Sequence, residues 1–161
     1  MPVVTGIGVD SHRFVPGRRL VLGGVEVPHD AGLAGHSDAD VLTHAVIDAL
    51  LGAAGLGDIG QHFPDTDPRY AGADSLGLLR TVVTRLGERG MRVVHVDASV
   101  LLERPKLAPL RAAIRASLAG ALGVAPEAVN VKATTGEGLG FVGRAEGAAA
   151  LAVATVETSA V

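Results

Sequence analysis

The chain has 161 residues, a formal charge of −3 and 48% apolar residues, with no Cys, no Trp, one Tyr, three Phe, 22 Gly and six His. That length suits one domain able to bury roughly two-thirds of its unfolded surface. The composition excludes intrinsic disorder, a disulfide framework and a thiolate metal site, so any bound metal must use His, Asp or Glu. Mild acidity and few rings argue against nucleic acid as the main partner. No run of eighteen apolar residues can span a bilayer, and the N-terminus lacks the basic and then apolar pattern of a leader, so the expectation is a cytoplasmic protein without membrane contact.

In chain order, VVTGIGVDSHRF reads as a buried strand running into a loop, and RLVLGGVEVP as a hairpin whose Gly-Gly tolerates the positive φ of a two-residue turn. SDADVLTHAVIDALLGAAG reads as a helix with Ser37 or Asp38 as N-cap, Gly52 or Gly55 near its end, and an apolar side made of Val41, Ala45, Ala49 and Leu42, Val46, Leu50. DIGQHFPDTDP reads as a loop. A second helix from Asp74 to Gly90 presents Leu76, Leu79, Val83 and Leu86 as a stripe. RVVHVDASVLLE is a strand that alternates Val94, Val96, Ala98, Val100 against His95, Asp97, Ser99. A third helix carries Leu110, Ile114, Leu118 and Leu122 and stops at Gly123. VNVKATT and AAALAVATVE close the chain as strands joined by the glycine-rich GEGLGFVGRAEG. The order predicts one α+β domain with helices on one sheet face, and the small residues of the last strand suggest that other subunits cover the second face.

Asp10 and His12 lie two apart at a strand end, so their side chains share a side. His44 falls on the following helix, one turn after Asp40 and one turn before Asp48, either of which would orient its ring. One carboxylate and two imidazoles make a three-ligand zinc set with an open fourth position. Against this, Asp-x-His arises often by chance, and a helix His is more often simply packed. GHSDAD puts His36 and Ser37 at a helix start that attracts anions, or else supplies plain caps. Asp58, Asp65 and Asp67 are either ligands or solvated loop carboxylates. KATTGEGLGF places Thr134, Thr135 and Glu137 before a glycine-rich turn, which suits a phosphate-bound hard metal as well as a routine connector. His29 and His62 receive no role, and His95 is read as an interface or core residue.

Taken together, GIGVDSHRF, GHSDADVLTHAVIDALLGAAGLGDIG, HFPDTDP, ERPKLAP and VNVKATTGEGLGFVGRAEG stand in the order and spacing of the 2-C-methyl-D-erythritol 2,4-cyclodiphosphate synthase family, which the chain resembles from Gly6 to about Ala150. The resemblance implies a single catalytic domain over 1–161 and a homotrimer whose mixed sheets pack around a three-fold axis, with active sites between subunits. It implies a phosphorus–oxygen lyase of non-mevalonate isoprenoid synthesis. In that reaction the 2-phosphate of 4-diphosphocytidyl-2-C-methyl-D-erythritol 2-phosphate attacks its own β-phosphorus, giving the cyclic 2,4-diphosphate and CMP.

By the same resemblance Asp10, His12 and His44 hold zinc or another divalent transition metal against a substrate phosphate, and Glu137 holds Mg or Mn bridging the diphosphate. His36 and Thr135 are the catalytic groups that position phosphates and stabilise the transition state. Substrate contacts fall on Asp10, Ser11, His12, His36 and Ser37, on Asp58, Ile59 and Gly60, and on Phe63, Pro64, Asp65, Thr66 and Asp67. Further contacts are Leu102, Glu103, Arg104, Pro105, Lys106, Leu107 and Ala108 with Thr134 for cytosine and the CMP phosphate, then Thr135, Gly136, Glu137, Phe141 and Arg144. One departure stands out: Gly136 and Gly138 replace the Thr and Lys usual beside the glutamate, which implies altered affinity rather than lost activity. The competing readings are a metal-dependent phosphatase or nuclease, which would consume water, and a trimeric ligand-binding protein without catalysis.

Overall fold

In the computed structural model, which describes residues 1–159, the chain is organised around one long antiparallel pair. Strand β1 (Val3–Pro16) runs beside the last strand, β7 (Gly147–Thr158), from Val3 opposite Glu157 to Arg13 opposite Gly147. Where α1 crosses, the inner face of this pair is made of Gly6 and Gly8 from β1 and Ala148, Ala150, Ala152 and Ala154 from β7. That run of small residues lets helix α1 (Val41–Ala53) settle directly onto the backbone. A Cβ on Gly8 would lie 1.9 Å from the Ala45 carbonyl oxygen, and one on Gly6 would lie 2.0 Å from that of Ala49. Close approach, rather than turn geometry, is what these two glycines provide.

The remaining elements complete an α+β domain. Strands β2 (Leu20–Leu22) and β3 (Val25–Val27) form the expected hairpin, with Gly23 and Gly24 at φ 59° and 77°. The hairpin is a sheet of its own. Strand β4 (Ala31–Leu33), α2 (Ile59–His62), α3 (Ser75–Gly87), β5 (Met91–Leu101), α4 (Arg111–Leu122), β6 (Val129–Thr134) and α5 (Gly140–Gly143) account for the rest. The main sheet has the order β4-β1-β7-β5-β6. Among the described residues only β5 and β6 are parallel, joined by the α4 crossover that parallel neighbours need. The helices lie on one face, as predicted.

Several local expectations are corrected. The N-cap of α1 is Asp40, not Ser37 or Asp38. Its buried carboxylate accepts from the Thr43 amide and hydroxyl and from the amides of Gly23 and Gly24, so it also ties the hairpin turn to the helix. Burial pushes this carboxyl up, against the pull of those four bonds. Helix α1 buries Ile47 and Leu51 as well as the two predicted rows, because the sheet covers one side and α3 another. Strand β5 carries a bulge between Val93 and His95. It turns Val93 inward and Val94 outward, reversing the predicted alternation there. Strands and turns of three or four residues, β4, α2 and α5, are too short for a periodic signal.

The face away from the helices carries an uncovered apolar patch. Val3, Ile7, Val9, Val94, Leu151 and Val153 are 39% to 64% exposed there or at its margin. Among the described residues no helix is long and apolar enough to cross a membrane.

Candidate metal centre and active site

Asp10 and His12, alternate residues of β1, both point to the helix side of the sheet and meet His44 of α1. Asp10 Oδ2 lies 2.8 Å from His12 Nε2 and 3.1 Å from His44 Nδ1, and the two ring nitrogens are 3.4 Å apart. One ligand atom from each residue falls within 4.8 Å of the other two. Burial works to raise the Asp10 carboxyl, but hydrogen bonds and positive charge from both histidines outweigh it and hold it down at about 2. Burial pulls His12 down, and Asp10 beside it lifts the net value above the ordinary one.

The outer ring nitrogens are also held. His12 Nδ1 donates to the Ala34 carbonyl at 2.9 Å, which turns Nε2 to the cluster. His44 Nε2 lies 2.8 Å from Ser75 Oγ and 3.2 Å from Ser37 Oγ. Neither carboxylate expected to orient this ring does so. Asp40 is committed to the hairpin, and Asp48 accepts the Ile59 amide at the start of α2. Two imidazoles and one carboxylate, converging and fixed from behind, fit a divalent transition metal by donor chemistry and by spacing.

The centre opens into a pocket of about 420 Å³. Of the predicted contacts, Asp10, His12, His36, Ser37, Ile59, Gly60, Phe63, Pro64 and Asp65 line it, together with Gly35, Tyr70 and Leu78, which the sequence reading missed. Phe63 stands edge-on to Tyr70, with the Arg85 guanidinium 5.2 Å from its ring centre. The exposed His36 donates through Nε2 to the Asp67 carbonyl at 3.1 Å. Asp58 and Asp67 do not line the pocket. Asp58 forms a capping box with Gln61, and Asp67 caps the turn at Pro68 while pairing with Arg69, which keeps its carboxyl below the usual range. Thr66 is exposed beside them.

Leu102, Glu103, Pro105, Lys106, Leu107, Ala108, Thr134 and Thr135 line a second pocket of about 210 Å³, joined by the unforeseen Arg111. Arg104 lies outside that lining. Glu103 is partly committed, because it accepts the amides of Gly136 and Gly138. Glu137 is exposed at φ 53° on the turn so formed, with its amide donating to Thr135 Oγ1. A Cβ on Gly136 would lie 2.6 Å from the Gly143 nitrogen, so this turn admits no larger side chain there. Ser11 and Phe141 line a third cavity with Glu146, which pairs with Arg144. The register aligns Ser11 with Ala149, Ala149 with Leu101, and Leu101 with Thr134. The two pockets therefore share one end of the sheet, about 14 Å apart at three strand spacings. One chain does not bring Glu137 to the Asp10 cluster.

The chain is 62% identical over 159 residues to a bifunctional enzyme IspD/IspF of Anaeromyxobacter dehalogenans, and it spans 41% of the length of that relative. It is 59% identical to a 2-C-methyl-D-erythritol 2,4-cyclodiphosphate synthase of Dechloromonas aromatica, covering 94% of this chain and 95% of that one. A solved synthase of the same name in a CDP-bound form superposes with a TM-score of 0.88 at 39% identity, over 95% of this chain and 99% of the other. The match to the YgbB family extends over residues 3–157, nearly the whole described chain, so the chain belongs to the YgbB family.

Proposed function

We propose that residues 1–161 form a single catalytic domain with 2-C-methyl-D-erythritol 2,4-cyclodiphosphate synthase activity, a cytoplasmic lyase of non-mevalonate isoprenoid synthesis. The observation that carries the reading is the convergence of Asp10, His12 and His44 on one point beside a pocket, in a chain whose near-full-length relatives bear that name. In the reaction an oxygen of the 2-phosphate forms a new bond to the β-phosphorus. The bond from that phosphorus to the bridging oxygen breaks, and its electrons leave with CMP.

Zinc or another divalent transition metal on Asp10, His12 and His44, when bound, supplies positive charge at a phosphate oxygen. That charge is needed because an anion attacks an anion, and this chain has only two lysines to offer. Glu137 provides the oxygen ligand suited to Mg or Mn on the diphosphate. His36, its ring anchored on the Asp67 carbonyl, and Thr135 position phosphates and stabilise the transition state. Ile59, Gly60 and Phe63 to Asp65 enclose the methylerythritol portion. Leu102 to Ala108, with Thr134, receive CMP. Ser11, Asp58, Thr66, Asp67, Gly136, Phe141 and Arg144 complete the proposed contacts. No general base is required, since the attacking phosphate is ionised at neutral pH. Enclosure replaces the freedom a chain must lose to close an eight-membered ring.

The two pockets of one chain lie apart, so the reading includes a homotrimer in which the uncovered sheet faces meet and each site draws on two subunits. The test is incubation with the diphosphocytidyl substrate and Mg or Mn, followed by mass spectrometry. CMP and the cyclodiphosphate in equal amounts are expected. Release of inorganic phosphate without a cyclic product would overturn the reading in favour of a water-consuming phosphatase.

A further inference from the structure

Asp38 and Ser75 have no part in the function proposed above and lie far apart in sequence, yet they meet behind His44. Ser75, the first residue of α3, is completely buried. Its amide donates to Asp38 Oδ2 at 3.0 Å, and its hydroxyl donates to Asp38 Oδ1. An ionised carboxylate only accepts, so the single hydroxyl proton is committed there and Ser75 Oγ is left as an acceptor. That oxygen lies 2.8 Å from His44 Nε2. The ring nitrogen must therefore be the donor. Ser37 Oγ, which accepts the Ala39 amide, offers the same nitrogen a second, longer contact.

With Nε2 held as a donor to Ser75, Nδ1 is the nitrogen left to meet a metal beside Asp10 and His12. We propose that Asp38 and Ser75 are positioning residues that select the Nε2–H tautomer of His44 and fix its ring for metal binding. The inference rests on the reading of Asp10, His12 and His44 as a metal site. The relay is itself braced. Asp38 also accepts the Asp40 amide at 3.2 Å, and its own amide donates to the Ala73 carbonyl at 3.1 Å, which locks the 35–40 loop to the start of α3. Such outer partners raise the basicity of a ligating imidazole and hold its orientation, and losing one costs about 10- to 100-fold in metal affinity. His12 has only a backbone carbonyl in the same place, so His44 is where side-chain substitution can reach the effect.

The test compares wild type with Ser75→Ala and Asp38→Asn. Zinc affinity is measured by competition with a chelator, the His44 ring form by ¹⁵N shifts of the zinc-loaded protein, and folding by thermal melts. Zinc-loaded wild type is expected to show a single form, protonated at Nε2. Ser75→Ala is expected to give mixed tautomers and about 10- to 100-fold weaker zinc binding while still melting cooperatively. Asp38→Asn makes the sharper prediction. Its amide can donate to Ser75 Oγ and release the hydroxyl proton toward His44, shifting the ring toward Nδ1–H. Ser75→Thr, which keeps the hydroxyl, should recover affinity relative to Ser75→Ala. Wild-type zinc affinity with an unchanged Nε2–H ring in both Ser75→Ala and Asp38→Asn overturns the proposal. If wild type binds no zinc, the metal reading fails, whereas the positioning role alone fails when wild type binds zinc and the variants match it. Should Ser75→Ala not fold, Asp38→Asn is read by the same two measurements.

Discussion

The two halves of the site are built to opposite standards of rigidity. Asp10, His12 and His44 sit on the longest strand and on a helix whose backbone touches that strand, and every ring nitrogen among them has a partner. Glu137 sits exposed on a turn at positive φ, held through its own amide and those of its neighbours and not through its carboxylate. A cluster of ligands must be fixed before the ion arrives, because each misplaced donor weakens all of them. A carboxylate that meets its ion together with a substrate needs access more than preorganisation. In the proposed trimer, the contrast places the rigid half inside one chain and leaves the other half open toward a partner.

The largest expected effects test that division of labour. His44→Ala or Asp10→Ala should lower cyclisation by at least about 10²- to 10³-fold, the scale of losing one preorganised charge-stabilising group, and should abolish zinc binding with the fold intact. Elemental analysis of the purified variants, alongside product formation, checks this. Retained turnover in a zinc-free variant would remove the metal from the mechanism. Glu137→Ala should cost less, about 10- to 100-fold, and should leave zinc content unchanged while flattening the response to Mg or Mn. If that response is unaltered, the two halves are not divided as described.

Much of this arrangement was legible in sequence because it follows short periods. Asp10 and His12 share a side through strand alternation, and Ile114, Leu118 and Leu122 share a helix face. What escaped notice depends on contacts distant in sequence. Ser75 orients a ring 31 residues away, and Asp40 caps a helix while bracing a turn 16 and 17 residues earlier. Helix-neighbour spacing pointed instead to Asp40 and Asp48 as partners of His44, and both proved to be employed in holding the hairpin and α2. Val94 was misplaced for a different reason, since one extra residue at a bulge reverses every face assignment before it. The pocket contacts Tyr70, Leu78 and Arg111 carried no motif and came together only through tertiary packing.

A smaller effect sharpens the claim that the metal half is rigid because a helix lies on glycine. Gly8→Ala places a Cβ against the backbone of α1, which must move away. Overpacking of this kind costs about 1–3 kcal/mol. The displaced α1 carries His44, so zinc affinity should fall along with the melting temperature. Gly138→Ala meets nothing within 4 Å and strains only a positive φ. It should cost about 1–2 kcal/mol and leave zinc binding alone. Equal zinc affinity in both variants would show that strand-to-helix contact does not set the ligand geometry.

The smallest effect lies on the opposite face of the sheet. Asp97 of β5 accepts from Lys132 Nζ at 2.8 Å and Asn130 Nδ2 at 3.0 Å on β6, and the Lys132 bond is the chief reason its carboxyl lies below the ordinary value, against the opposing effect of burial. A carboxyl lowered by folding contributes stability above its unfolded pKa of about 3.9, and that contribution is lost as pH falls through the folded value. Within one subunit 54% of the lysine side chain is in solvent, so there water and salt screen the pair to about 0–1 kcal/mol. Asp97→Asn should therefore lower the melting temperature slightly at pH 7, and by progressively less as pH falls through the lowered folded value. High salt should shrink the difference at pH 7. A difference that persisted undiminished at low pH would mean that Asp97 acts through packing rather than charge. The largest losses should then still come from the helix side of the sheet, where partners are buried and water cannot replace them.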